Sequence, residues 1–253
     1  MLNELLTLNI FGFFLIFARV GTVIMLMPGF SAVYVNTRIR LALALSICLL
    51  LAPFLMPLLP KIPATPAGLV LMVAGEVFIG LFLGAMARIV VGSLQTAGTL
   101  IATYSSLTNA LIQDAIAEQQ SSVISGFLSI LGVMLIFAAN LHHLMLETVV
   151  DSYAVFVPGA FQGFGDFALM IARGVADSFA LGLQLASPFL IIALVYYVGL
   201  GLLGRLMPAL PLFFFMMPIQ ITVQFMVLMA ALSGMMMIFL RHFQDTLLMF
   251  ANP

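Results

Sequence analysis

At 253 residues, with 64% hydrophobic side chains, 7% charged ones and a mean hydropathy of +1.27, the chain lies far from soluble domains, which carry about 25% charged residues. It reads as a polytopic membrane protein and as one integrated domain, 1–253, without a separate soluble module. A formal charge of -1 gives no argument for nucleic-acid binding, and the lone Cys48 excludes an internal disulfide or a cysteine-based metal site.

A helix rises about 1.5 Å per residue, so about 20 apolar residues cross roughly 30 Å of hydrocarbon. Stretches free of Asp, Glu, Lys and Arg cover residues 41–60, 89–113, 119–146, 178–204 and 206–240, each long enough to span. The opening MLNELLTLNI has no basic region and no small-residue cleavage site follows, so it reads as retained. A first helix is expected from Asn3 to Met27, stopped by Pro28-Gly29. Arg19 falls inside it, where a charge at the bilayer centre costs about 2.5–3.5 kcal/mol. It either snorkels toward an interface or meets a polar partner inside a protein assembly.

Arg38 and Arg40 follow the loop from Phe30 to Thr37, which the positive-inside rule makes cytoplasmic. The second helix is expected to end near Leu51, ahead of a stiff connector holding Pro53, Pro57, Pro60, Lys61, Pro63 and Pro66. A third helix, Ala67 to Val91, carries Glu76, Gly80, Gly84 and Arg88 at four-residue intervals along one drifting stripe. Gly80 to Gly84 is a G-x-x-x-G, which lets another helix approach closely. Glu76 and Arg88 stand about 18 Å apart along the axis. Each therefore needs a partner elsewhere.

From Ser93 to Ser125 the composition turns polar, including Gln95, Thr96, Thr99, Thr103, Tyr104, Ser105, Ser106, Thr108, Asn109, Gln113, Asp114 and Glu118. Such hydrogen-bonding capacity is expensive against lipid unless satisfied. A hydrated surface, pore lining or subunit interface is expected, with an external loop as the alternative for Asp114 to Ser122. The next helix, Val123 to Val150, ends with His142, His143, Glu147 and Asp151. The last three lie on one face, where they could relay protons, ligate a metal or form part of a polar helix end.

A glycine-rich connector from Pro158 to Gly165 leads to a long helix, Phe167 to Leu203, with Pro188 as a kink. The stretch Gly199 to Ile221 sets Arg205 ahead of Pro208, Pro211 and Pro218, which predicts a broken helix before a last one from Ile219 to Leu240. No phosphate-binding loop, H-E-x-x-H or nucleophile motif occurs, so neither catalysis nor a cofactor or metal is expected.

Together these residues resemble the FliR family of flagellar export proteins, related to the SctT proteins of virulence type III secretion systems. The resemblance runs through nearly the whole chain. It rests on Arg19 with Pro28, Arg38 with Arg40, Glu76-Val-Phe-Ile-Gly80-Leu-Phe-Leu-Gly84, Gln95-Thr-Ala-Gly98, Asn140 with His142, Gly201-Leu-Leu-Gly204-Arg205-Leu-Met-Pro208, and Met217-Pro218. Departures fall at Asp114-Ala115, where Asp-Pro is common, at Leu141, where glycine is usual, and at Pro211, where a polar residue is common.

The resemblance implies an all-α membrane protein whose kinked helical hairpins form one subunit of a spiral, multi-subunit export gate, in the bacterial inner membrane at the flagellar basal body. It implies assembly with FliP, FliQ, FlhB and FlhA, passage of unfolded flagellar proteins, and a loop that helps to plug the closed pore. That role would fall to the region around Tyr104, Ser105, Ser106, Thr108, Asn109, Gln113, Asp114 and Glu118. Arg19, Glu76, Gly80, Gly84, Arg88, Arg205, Pro208 and Pro218 are candidates for the assembly interface. The alternative is an ion-coupled secondary transporter using His143, Glu147 and Asp151, with broken helices around Pro208 and Pro218.

Overall fold

The computed structural model describes the backbone of residues 2–32, 35–60, 62–105, 111–113, 120–159, 164–207 and 212–251, and the side chains of 10–32, 35–60, 62–105, 122–159, 165–207 and 216–250. Seven helices carry it: α1 (Leu2–Leu26), α2 (Thr37–Leu55), α3 (Pro66–Tyr104), α4 (Val123–Ala138), α5 (Leu141–Val155), α6 (Phe164–Leu206) and α7 (Leu212–Ala251). A 3-10 turn, Met56–Leu58, follows α2. A two-stranded antiparallel ribbon, β1 (Leu111–Gln113) with β2 (Gln120–Ser122), pairs Leu111 with Ser122 and Gln113 with Gln120. The protein is thus an all-α membrane protein with one small ribbon among its described residues.

Local chemistry sets the helix ends. Pro28 and Gly29, the latter at φ 85°, follow α1. Asn36 opens α2, its side chain accepting the backbone N–H of Arg38 at 3.0 Å. Pro66 starts α3, where a missing N–H does no harm, and Thr65 Oγ1 accepts the Gly68 N–H at 3.2 Å. Between α4 and α5 the helix breaks at Asn140, which sits in the left-handed region at φ 58°, and the two helices bend by 75°. Asparagine tolerates that conformation better than most non-glycine residues.

Several expected bounds change, and the single helix expected from Val123 to Val150 is two, α4 and α5. α2 passes through Pro53 and ends at Leu55 instead of Leu51. α3 continues from the expected end at Val91 to Tyr104, because its hydroxyls bond within the helix: Thr96, Thr99, Thr103 and Ser105 donate to the carbonyls of Gly92, Gln95, Thr99 and Ile101, at 3.2, 2.8, 2.8 and 2.7 Å. α7 starts at Leu212 and runs through Pro218, so that proline lies within a helix.

The chain forms two compact units. The first comprises 1–90, 136–175 and 243–253, and the second comprises 91–135 and 176–242. The first buries Leu15, Ile16, Val20, Ile24, Cys48 and Leu55. It also holds edge-to-face pairs of Phe82 with Phe156, Phe167 and Phe250, at centroid distances of 6.1, 4.9 and 5.7 Å. The second unit buries Leu94, Ile101, Leu128, Phe189, Met236 and Phe239. Cys48 is fully buried and free, a small core residue.

Candidate functional site

Arg19 is the largest fully buried side chain of the first unit, at 0% exposure. Its five N–H donors match its five hydrogen bonds. Nε donates to Glu76 Oε2 at 2.6 Å and Nη2 to Glu76 Oε1 at 3.1 Å, a bidentate pair. Nη2 also donates to the Phe156 carbonyl at 2.9 Å, while Nη1 donates to the Ser152 carbonyl at 3.1 Å and the Ser152 hydroxyl at 3.3 Å. Those carbonyls belong to the C-terminal end of α5, where a positive charge opposes the helix dipole. The guanidinium carbon lies 3.9 Å from the Tyr153 ring centroid.

Glycine makes this arrangement possible. A Cβ on Gly80 would stand 2.6 Å from the Arg19 carbonyl oxygen and 2.9 Å from Thr22 Cβ, and one on Gly84 would stand 2.6 Å from Leu26 Cβ. The G-x-x-x-G therefore seats α1 against α3 within the chain. Arg19 and Glu76, each expected to need a neighbouring polypeptide, complete each other across 57 residues of sequence. Spacing along α3 alone could not reveal this, because the partner comes from another helix.

In the second unit, a Cβ on Gly98 would collide with the Ser125 backbone. Ser125 Oγ donates to the Gln95 carbonyl at 3.3 Å, its N–H donates to Ser122 Oγ at 3.1 Å, and Ser122 Oγ donates to the Gly98 carbonyl at 3.4 Å. These bonds hold the start of α4 on α3. Gln220 Nε2 of α7 donates to the Tyr104 carbonyl at 2.6 Å and to the Tyr197 hydroxyl at 3.0 Å. It thereby satisfies a C-terminal carbonyl of α3. Tyr196 donates its hydroxyl to the Met216 carbonyl, joining α6 to α7. Neither glutamine nor tyrosine stood out in the sequence, because nothing there shows which helix end they face.

Among the plug candidates, Tyr104 is half-buried and Ser105 buried. Ser106, Thr108, Asn109, Asp114 and Glu118, with the side chain of Gln113, lie outside the described residues. Among the interface candidates, Arg19, Glu76, Gly80 and Gly84 are buried within the first unit, while Arg88, Arg205 and Pro218 are exposed. Arg205 occupies the last turn of α6, and Pro208 lies outside the described residues. His143 and Glu147 are exposed and Asp151 half-buried. Among the described residues no three His, Cys, Asp or Glu side chains form a group that could hold a metal ion.

The family model described as "Bacterial export proteins, family 1" matches residues 10–246, nearly the whole chain. The chain belongs to the FliR family of bacterial export proteins. It is 38% identical over 233 residues to the flagellar biosynthetic protein FliR of Caulobacter vibrioides, covering 92% of this chain and 93% of that one. It is 30% identical to FliR of Pectobacterium carotovorum, over 85% of this chain and 82% of that one. For FliR of Escherichia coli K12 the identity is 27%, over 88% and 85%. The FliR-family match contains all of the Arg19 cluster and both glycines that seat it. Among the described residues, four helices are long and apolar enough to cross a membrane, or five if the bent α4–α5 pair counts as one span. Membership makes it a membrane-embedded protein of flagellar export.

Proposed function

We propose that the chain is a non-enzymatic subunit of the flagellar type III export gate in the bacterial inner membrane, part of the channel for unfolded flagellar proteins, assembled with FliP, FliQ, FlhB and FlhA. Helix length carries this reading. α3, α6 and α7 hold 39, 43 and 40 residues, or roughly 58, 64 and 60 Å at the helical rise. Confining a 60 Å helix to roughly 30 Å of hydrocarbon would need a tilt of about 60°, beyond the range of about 0–40° found in membrane proteins. Their exposed faces are apolar over more than that depth: Leu169 and Leu206 of α6 are 50 and 76% exposed, and Ile219 and Met249 of α7 are 50 and 71% exposed, about 56 and 45 Å apart by axial rise. Neighbouring polypeptides covering the surplus length resolve the mismatch.

Within that assembly, Arg205 is the interface residue this reading favours, a cation exposed in the last turn of α6. Arg205→Ala is expected to reduce co-purification with FliP and to impair motility. Normal recovery of both would remove Arg205 from the interface. The closed-state plug is assigned to the polar segment between Tyr104 and Ser122, whose two ends are tied down by Gln220 and by Ser122 with Ser125. Removing residues between Ala110 and Gln119 is expected to let the closed gate leak small ions or solutes. Unchanged membrane permeability would refute the plug role.

A further inference from the structure

Two cations of the first unit, Arg38 in the first turn of α2 and Arg88 within α3, are exposed, and neither guanidinium forms an ion pair among the described residues. Packing against α1 fixes their heights. Gly84 lies against Leu26, the last residue of α1, so Arg88 stands about 6 Å beyond that end by axial rise. Gly12 lies against Met56 and Leu59, so α2 runs back along α1 in the opposite direction. From Met56 to Arg38 is about 27 Å of helix, and from Gly12 to Leu26 about 21 Å. Arg38 therefore also stands about 6 Å beyond Leu26, level with Arg88.

The exposed surface changes chemistry at the same height. Before Arg88 the exposed positions of α3 are apolar, with Val70, Leu71 and Leu81 at 66, 60 and 45%, and after it they are Thr99 and Thr103. On the α2 side, exposed Asn36, Thr37 and Arg38 give way to Leu45, Leu49 and Phe54, and the exposed Ser46 hydroxyl is satisfied by the Ala42 carbonyl at 2.8 Å. From Pro66 to Arg88 is about 33 Å by axial rise, close to the roughly 30 Å of a hydrocarbon core. A neighbouring polypeptide has no reason to end its cover at one height on two helices, one charge-free bilayer depth from a proline connector. A bilayer does, because its hydrocarbon ends in a plane, and the phosphates there accept hydrogen bonds from guanidinium.

We propose that the bilayer surrounds this section of the first unit and ends at Arg38 and Arg88, whose guanidiniums bind lipid phosphate groups, so that α3 leaves the membrane at Arg88. On α3 the polypeptide cover invoked above then begins beyond Arg88. The placement needs only membrane embedding, so it stands or falls independently of the gate and plug assignments. Its test uses the protein in its native complex, extracted intact and placed in nanodiscs with phosphatidylethanolamine bearing a diazirine either on an acyl chain or on the headgroup. After irradiation, adducts are mapped by mass spectrometry. The acyl probe is expected to label Leu49, Val70 and Leu81, the headgroup probe the residues around Arg38 and Arg88, and neither probe Thr99 or Thr103. Acyl adducts at Thr99 or Thr103, or none at Val70 and Leu81, would overturn the proposal. In Arg88→Gln, headgroup labelling at that edge is expected to fall about fivefold, the equivalent of about 1 kcal/mol, with acyl labelling unchanged; undiminished headgroup labelling would overturn the phosphate contact. A photoreactive residue at Val70 in native membranes adds a direct comparison of covers. An adduct to lipid supports the placement, whereas an adduct to another polypeptide assigns this face to a partner and overturns it.

Discussion

Removing one member of the Arg19–Glu76 pair is the perturbation with the largest calculable effect. In Glu76→Leu the guanidinium keeps its bonds to Ser152 and Phe156 but loses both bonds to carboxylate, and with them its counter-charge, at 0% exposure. In Arg19→Leu the carboxylate is stranded instead, the Phe156 carbonyl loses the Arg19 donor, and the Ser152 carbonyl is left with the Phe156 N–H. Breaking a buried pair from one side destabilises by about 3–5 kcal/mol, whereas replacing both charges by apolar groups is often nearly neutral. Each single variant is therefore expected to shift the folded-to-unfolded ratio by roughly 150- to 5,000-fold. The double variant is expected to recover at least about 2 kcal/mol relative to the sum of the singles. Reversible unfolding of the complex in mixed micelles, followed by circular dichroism, would measure the cycle. Additive losses, with a double variant as unstable as the sum, would refute the claim that the two charges are retained chiefly for each other.

The remaining predictions concern packing and capping. Gly80→Ala is expected to lose about 1–3 kcal/mol, because its methyl would press on the Arg19 carbonyl; Gly75→Ala, with open space at its Cβ, is expected to be neutral or to gain up to about 1 kcal/mol from helix propensity. Thermal denaturation of the two variants side by side checks the order, and equal losses would contradict the seating role of Gly80. Gln220→Leu is expected to destabilise by about 1–3 kcal/mol, since the Tyr104 carbonyl loses its donor. Faster hydrogen exchange confined to the end of α3 would report this loss, and unchanged exchange there would contradict it.

Much of the backbone plan was visible in the sequence where a single residue dictates it. Pro28-Gly29 closes α1 and Pro66 opens α3, as their missing donor and permissive φ require. What escaped depends on groups that meet only after folding. The expense of placing Arg19 in an apolar helix was plain, but Glu76, 57 residues away, was equally unpaired when read along its own helix. The polar run after Val91 suggested the end of α3, yet its threonines satisfy themselves on carbonyls four residues back. Hydrophilic composition therefore did not mean broken helix. Asn140 gave no warning of the bend between α4 and α5, because a left-handed asparagine looks like any other in one dimension.

The central claim is that the long apolar helices α3, α6 and α7 are sheathed by other polypeptides where they outrun the bilayer. Purification of the chain from native membranes in a mild detergent, followed by mass measurement of the intact particle, tests it most directly. The expected result is recovery in a stable complex containing FliP and FliQ. A well-behaved solitary monomer, able alone to carry a small solute into liposomes, would contradict it.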